Sequence, residues 1–262
     1  MSWAFRRRLL YLTGIFLFFL ITIGGPIAYK ILSIPETCFD GILNQQETAV
    51  DKGGPCLLMD ERYLQPHAVM WSRSFRVRDG TYNAVAYIQN PNEGAGVEAA
   101  PYRVKLYDSE NILVAERTGV MYIMPGGITP IIESRIDTGF RLVARSYFEF
   151  TAPLAWKHMK NRSTAVVIND KEMVDPAVAP QVTAKAHNAS VDTFNKVSFV
   201  AVVFDPQGNA FQASATAIDR FAPDVTENIV FTWPDPFTSD VGRVDVLPVV
   251  PPVLAPVSAE GR

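Results

Sequence analysis

Two hydrophobic rhythms divide this chain. From Leu9 to Tyr29, twenty-one consecutive residues carry no charge. As an α-helix such a run spans roughly 32 Å, close to the thickness of a bilayer's hydrocarbon core. From Val69 onward the pattern changes to short runs in which apolar and polar residues alternate, broken by Gly, Pro, Asn and Asp. That period of two is the signature of half-buried β-strands. Residues 31–66 follow neither rhythm and read as a polar, turn-rich stalk.

The strand region can be parsed further. Asp79-Gly80 sits between two alternating runs and predicts a tight hairpin. In the second run Tyr82, Ala84, Ala86 and Ile88 share one face, and Asn83, Val85, Tyr87 and Gln89 the other. Tyr102, Val104 and Leu106 alternate with Arg103 and Lys105. Turns at Asp108–Asn111 and Pro125-Gly126-Gly127 separate further strands, about seven between residues 69 and 156, with no helical period among them. The same grammar returns 97 to 98 residues later. Val104–Asp108 corresponds to Ala201–Asp205, Met124-Pro125-Gly126 to Ala222-Pro223-Asp224, and Ser146-Tyr147-Phe148 to Val244-Asp245-Val246. A constant offset of this kind points to one duplicated domain. The predicted fold is all-β: two tandem immunoglobulin-like β-sandwiches behind one N-terminal transmembrane helix. The expected boundaries are a short N-terminus at 1–8, the helix at 9–29, the stalk at 30–66, sandwiches at 67–157 and 158–250, and a disordered proline-rich tail at 251–262.

Charge orients the helix. Arg6, Arg7 and Arg8 precede it and only Lys30 follows closely, which predicts a cytoplasmic N-terminus and extracytoplasmic domains at the plasma membrane. A cleaved signal peptide has a similar layout, but its apolar core is shorter, about 7–15 residues, and ends at an A-x-A-like site. A lipid anchor on Cys38 lacks the small apolar run its processing needs before that cysteine. Pro26, after Gly24 and Gly25, is expected to loosen the outer turn of the helix. Setting aside the three arginines leaves 21 Lys and Arg against 27 Asp and Glu in the exported part, a net of −6. A mildly acidic ectodomain with no basic cluster argues against nucleic acid and against anionic lipid as partners.

Both cysteines, Cys38 and Cys56, fall on the exported side, where an even pair reads as a disulfide. The loop between them carries Asp40, Asn44, Glu47 and Asp51, oxygen donors of the type calcium takes. It lacks the spacing of an EF-hand, and a cluster of turns capped by its own side chains is the alternative. This loop resembles a short motif of bacterial exported proteins, C-x-D-G-x-x-N-x-x-E-x-x-x-D-C-G-G-x-C. Cys38, Asp40, Gly41, Asn44, Glu47, Asp51, Gly53, Gly54 and Cys56 match it, and Lys52 stands where the motif has a middle cysteine. The strand ending Leu106-Tyr107-Asp108, and more loosely Val203-Phe204-Asp205, resembles the FxLYD-type sandwich domains of bacterial envelope proteins. The whole layout is similar to uncharacterised single-pass envelope proteins. That resemblance implies a bacterial surface or periplasmic protein and no particular activity.

The candidate chemistry is sparse. His67, His158 and His187 are far apart and have no metal spacing, and the sequence holds no nucleophile elbow, zinc helix or phosphate loop. No catalytic residue and no cofactor beyond the calcium candidate is predicted. Asn161-Arg162-Ser163 and Asn188-Ala189-Ser190 fit the glycosylation sequon. Trp233 and Phe237, in an aromatic and proline cluster, are the candidate contact residues for a partner, or else fill the second core. The function this points to is a non-catalytic, membrane-anchored binding or scaffold protein of the cell envelope, with the bilayer and an envelope protein as partners. The alternatives are a subunit of a pilus- or secretion-type assembly, with Gly24 and Gly25 allowing close helix packing, and an envelope enzyme.

Overall fold

The computed structural model describes residues 3–32, 37–44 and 46–255. The N-terminal helix is longer than the uncharged run: α1 covers Trp3–Phe19 and α2 covers Gly25–Leu32, joined by a π-helical turn at Leu20–Gly24. Pro26 explains the wide turn, because its ring blocks the regular ladder one turn earlier and its missing N–H leaves a carbonyl without a partner. The Thr22 hydroxyl donates to the Phe18 carbonyl at 2.7 Å within that stretch. Across the 25 residues Phe5–Tyr29 the helix is apolar and long enough to cross a membrane, and none of it is buried against the rest of the chain.

Everything else that is regular is strand. The first unit has β1 (Ala68–Arg78), β2 (Thr81–Gln89), β3 (Ala95–Tyr107), β4 (Leu113–Ile123), β5 (Ile128–Asp137), β6 (Arg145–Phe150) and β7 (Trp156–Lys160). The second has β8 (Val166–Val174), β9 (Gln181–Asn188), β10 (Phe194–Phe204), β11 (Ala210–Phe221), β12 (Thr226–Thr232) and β13 (Arg243–Val249), and β14 (Val253–Leu254) follows. All the pairings are antiparallel. In the first sandwich β1-β2-β5 faces a sheet in which β3 pairs with β4 on one edge and with β6 and β7 in turn on the other. Pro101 lies at that handover, between the last β7 pair, Val97 with Trp156, and the first β6 pair, Tyr102 with Phe150. The second sandwich repeats the order: β8-β9-β12 faces β11-β10-β13.

Local chemistry repeats with the topology. Asp108 accepts from the backbone N–H of Ile112 through Oδ1, and Asp205 from Asn209, closing the same turn after β3 and after β10. Each turn places a residue at positive φ, Asn111 in one and Gly208 in the other. Asn90, just after β2, and Asn188, the last residue of β9, are fully buried. Asn90 Nδ2 donates to the carbonyls of Ala95 and Met124, and Asn188 Nδ2 to those of Asp192, Phe221 and Ala222. Met124 and Ala222 are 98 positions apart, as are the two asparagines. The Asp79-Gly80 hairpin forms as expected, with Gly80 at φ +70° and its Cα against the Gly139 carbonyl, where a Cβ has no room.

Three apolar cores hold the fold. One fills the first sandwich, with Ile88, Val97, Leu106, Ile123 and Ile136 at its centre, and one fills the second around Phe194, Phe199, Phe221 and Phe231. The third lies between the sandwiches. Phe75, Val85 and Tyr87 of the β1-β2-β5 sheet pack on Val200, Val202, Phe204 and Ala213 of the β11-β10-β13 sheet. Both faces of β2 are therefore buried, as are both faces of β10 over its C-terminal half. The domains form a stack of four sheets, where the alternation in β2 alone reads as one buried and one wet face.

Three boundaries differ from the sequence expectation. β7 pairs with β3, so the first sandwich runs through Lys160 and not to 157. The stalk is docked on it beyond Cys56: Met59 N–H donates to the Trp156 carbonyl at 2.9 Å, and Met59 and Leu64 pack on the first core. The tail is ordered through residue 255, because Val253 and Leu254 find the free edge of β7 and pair with Lys160 and Met159. The flanking prolines leave these two N–H groups available to a strand. Residues 256–262 of the predicted tail lie outside the described residues.

Val202 and Lys105 occupy the same position of the two copies, one inside the stack and one on an outer face. Val202→Lys is expected to cost about 3–5 kcal/mol in urea unfolding, since it strands an ammonium in a dry interface. Lys105→Val should change stability by less than about 1 kcal/mol, the usual worth of the surface pair Lys105–Glu149. Asn188→Ala should cost about 2–4 kcal/mol by the same measurement, because buried carbonyls lose their donor.

Candidate functional site: an arginine-lined cleft beside the stack

β1 is an edge strand, so its alternating side chains rim the opening where the two sandwiches meet. Trp71, Phe75 and the Arg73 guanidinium turn toward the second sandwich: Trp71 packs on Tyr87 with ring centroids 4.2 Å apart, and Arg73 Nη1 donates to the Ala210 carbonyl at 3.2 Å. Ser72 turns the other way and meets Ser146 of β6, Oγ to Oγ at 3.3 Å. Two further bonds close the seam, Gln212 Nε2 to the Arg76 carbonyl at 3.1 Å and Asn83 Nδ2 to the Ala213 carbonyl at 3.0 Å.

Above that seam is an open cleft of about 770 Å³, lined by β1, the start of β6, the start of β11 and the loop before β13. Arg73, Arg76 and Arg145 line it, and Asp235 is the one acid among its lining residues. Arg76 pairs with Asp79, and Arg145 Nη2 donates to Asn111 Oδ1. A guanidinium has five N–H donors, so each arginine keeps donors beyond these bonds. Over β6 a second hollow of about 390 Å³ is lined by Lys105, Tyr107, Asn111, Arg145, Ser146 and Tyr147. Its electrostatics are set by a hydrogen-bonded pair: Lys105 Nζ donates to Glu149 Oε1 at 2.9 Å, which raises the Lys105 pKa and lowers that of Glu149. The chain is acidic as a whole, and the two hollows bring Arg73, Arg76, Arg145 and Lys105 near one another.

Sequence reading singled out none of these arginines. They sit on different strands, 72 positions apart at the extremes, and only the Arg73, Arg76, Arg78 spacing at the end of an edge strand hints at a basic rim. The residues it did single out lie elsewhere. Trp233 and Phe237, the proposed contact patch, are turned inward: Trp233 is 5% exposed in the second core and packs edge-on against Phe237, which also meets Phe211. The reason is the chain path, since the Phe237 N–H is held by the Pro176 carbonyl and pulls the cluster over the sandwich end. Asn188 of the second sequon is fully buried and gives its amide to backbone carbonyls, so the folded chain presents no acceptor there. The histidines stay apart: His67 lies against Phe150 and Trp156, His158 is in β7, and His187 Nδ1 meets the Thr226 hydroxyl at 3.1 Å. Burial lowers the His67 pKa.

Cys38 and Cys56 are joined in a disulfide. Inside its loop three of the candidate calcium donors, Asp40, Glu47 and Asp51, are engaged with N–H groups, while Asn44 Oδ1 is buried without a hydrogen-bond partner. Asp40 accepts from Asn44 Nδ2 and from the backbone of Thr37 and Ile42, which lowers its pKa, and Asp51 accepts from Gly41 N–H. Glu47 Oε2 accepts from the Asp51 and Asn44 N–H groups, and its Oε1 lies 3.0 Å from the Cys56 sulfur. That last approach is a contact, because a disulfide sulfur has no hydrogen to donate. Among the described residues, Cys38, Glu47 and Cys56 form the one grouping of ligand-type side chains close enough to share an ion, and the bonded sulfurs cannot serve. The carboxylates of Asp40, Glu47 and Asp51 here act as turn caps. Gly53 is needed at φ +75°, where a Cβ would meet the Thr48 side chain. Arg62 ties the loop to the rest of the stalk, its guanidinium bridging the Asp60 carboxylate and the Thr48 carbonyl.

By fold the chain is an all-β protein of two stacked sandwiches with one apolar helix at its N-terminus. No protein-family model matches it, and no curated protein does. Among solved structures it is similar to a transglutaminase from red sea bream, at 12% identity and a TM-score of 0.23, over 72% of this chain and 32% of that one. The chain thus spans about a third of that structure's length, and a likeness this low carries neither fold nor activity across.

The Asp60–Arg62 clasp gives a pH prediction. Arg62 holds the Asp60 carboxyl well below the usual carboxylate range. A depressed folded-state pKa contributes stability above the unfolded value, about pH 4, and loses it as pH falls further. Amide exchange over residues 46–64 should therefore be flat from pH 7 to about 5, after correction for intrinsic rates, and quicken on acidification below about pH 4. Asp60→Asn should show the quickened exchange already at pH 7.

Proposed function

We infer that this chain is a membrane-tethered, non-catalytic binding protein of the bacterial envelope, with its helix spanning the plasma membrane, its N-terminus in the cytoplasm and its sandwiches outside. The observation that carries this reading is the pairing of a wholly exposed apolar helix with a rigid stack that displays an open, hydrogen-bond-rich cleft. Three arginines in the first turns of the helix, ahead of its uncharged run, support that orientation. The disulfide supports an oxidising compartment. The resemblance of the cysteine loop and of the strand-end Leu-Tyr-Asp to envelope proteins points the same way. Open clefts on rigid β-scaffolds suit binding.

Protease added to spheroplasts tests the topology. The expected result is loss of the sandwiches with the N-terminus protected, and retention of residues 3–32 in the membrane fraction after cleavage. Full protection until the membrane is lysed, or release of a chain beginning after the helix, would overturn the tethered reading.

A further inference from the structure

The cleft and the smaller hollow meet on β6, where Arg145 and Ser146 line both. On one side stand Arg73 and Arg76, and on the other the Tyr107 ring and the half-exposed ring of Tyr147. The track therefore alternates two kinds of surface. Guanidinium forks take carboxylates and phosphates, often bidentately. Tyrosine faces take flat apolar surface while their hydroxyls stay wet, and the C–H face of a sugar ring is such a surface. The Ser74 hydroxyl and the bonded Ser72–Ser146 hydroxyl pair add donors and acceptors.

We propose that β6 and the neighbouring edge of β1 form a binding track for an acidic polysaccharide, the sugar rings lying on Tyr107 and Tyr147 and the anionic groups on Arg145, Arg73 and Arg76. This rests on the reading of the chain as an extracytoplasmic binding protein and names the ligand class for that site. The size fits: hollows of about 770 and 390 Å³ together hold more than one sugar ring, and both are open, as a passing polymer requires. The charge density fits too. The exported part has a net charge of −6, which repels a polyanion carrying a charge at every few ångströms. A polymer with anionic groups spaced a sugar apart meets the arginine cluster without meeting as much of that field. The shared chemistry is an oxyanion on a glycan backbone, whether a uronic carboxylate or a phosphodiester.

The test uses the full chain in detergent micelles, with fluorescent oligomers of equal length read by anisotropy at low salt. The probes are a galacturonic acid hexamer, a glycerol phosphate hexamer, a neutral maltohexaose and an oligothymidylate hexamer. At least one acidic oligomer of the first two is expected to bind about 10-fold more tightly than maltohexaose and the oligothymidylate, and which one separates carboxylate from phosphate. Arg145→Ala should weaken that binding about 10-fold with the melting temperature unchanged, Arg145→Lys should give an intermediate value, and Tyr147→Ala should weaken it with salt dependence unaltered. Binding of neither acidic oligomer, equal binding of the neutral or nucleotide probe, or indifference to Arg145→Ala would overturn the proposal. These outcomes are independent of topology: an ectodomain found outside the membrane that ignores acidic glycans removes the ligand class alone, and one found inside removes the envelope role alone.

Discussion

The structure depends on a dry contact between two sheets that belong to different sandwiches. Val85 and Tyr87 on one side, and Val200, Val202 and Phe204 on the other, are all under 5% exposed. Each such aliphatic or aromatic side chain contributes on the order of 1.5–3 kcal/mol by leaving water. That burial fixes the angle between the domains, turns β2 and β10 into strands with few wet positions, and brings β1, β6 and β11 to one opening. The arginine cleft exists because the contact does. A flexible pair of domains would leave Arg73 and Arg145 without a common surface.

The contact is made by unlike sheets. The β1-β2-β5 face of the first copy meets the face of the second copy that corresponds to β4-β3-β6, so the arrangement is head to tail and not self-complementary. Such contacts, repeated, build open chains of subunits. Here the equivalent outer positions are polar: Arg103, Lys105 and Tyr107 stand where the second copy has Val200, Val202 and Phe204, and Thr183 and Lys185 stand where the first has Val85 and Tyr87. The duplicated domain kept its fold signals, the turn Asp and the buried Asn, while its two faces diverged into one that sticks and one that stays wet. A stack of two is thereby closed without any covering element.

Much of the architecture was legible in the sequence because it is written in local chemistry. The uncharged run, the Asp79-Gly80 turn, the period-two strands and the offset between Asp108 and Asp205 each follow from backbone and hydration rules that act over a few residues. The stacking was harder to read. An alternating strand with Val85 and Tyr87 on its second face looks the same whether that face meets solvent, a ligand or another sheet. Trp233 and Phe237 show the converse, since aromatic-proline clusters suit both a contact patch and the lid of a core, and only the path around Pro176 decides. The arginine cleft lay beyond sequence reading because its members come from β1 and β6, which approach across the sandwich and not along the chain.

β7 has an unusual load. One of its edges is zipped to β3, and the other is shared by Leu58 on the way in and by Val253 and Leu254 on the way out. If the helix is held in a membrane and the cleft holds a polymer, any tug between them reaches the folded stack first at this five-residue strand. Leu58 is attached there by one antiparallel bridge, and Met59 and Leu64 pack on the first core just beyond it. The stalk and the last strand thus rest on one strand edge, so a change that removes β7 would release both together.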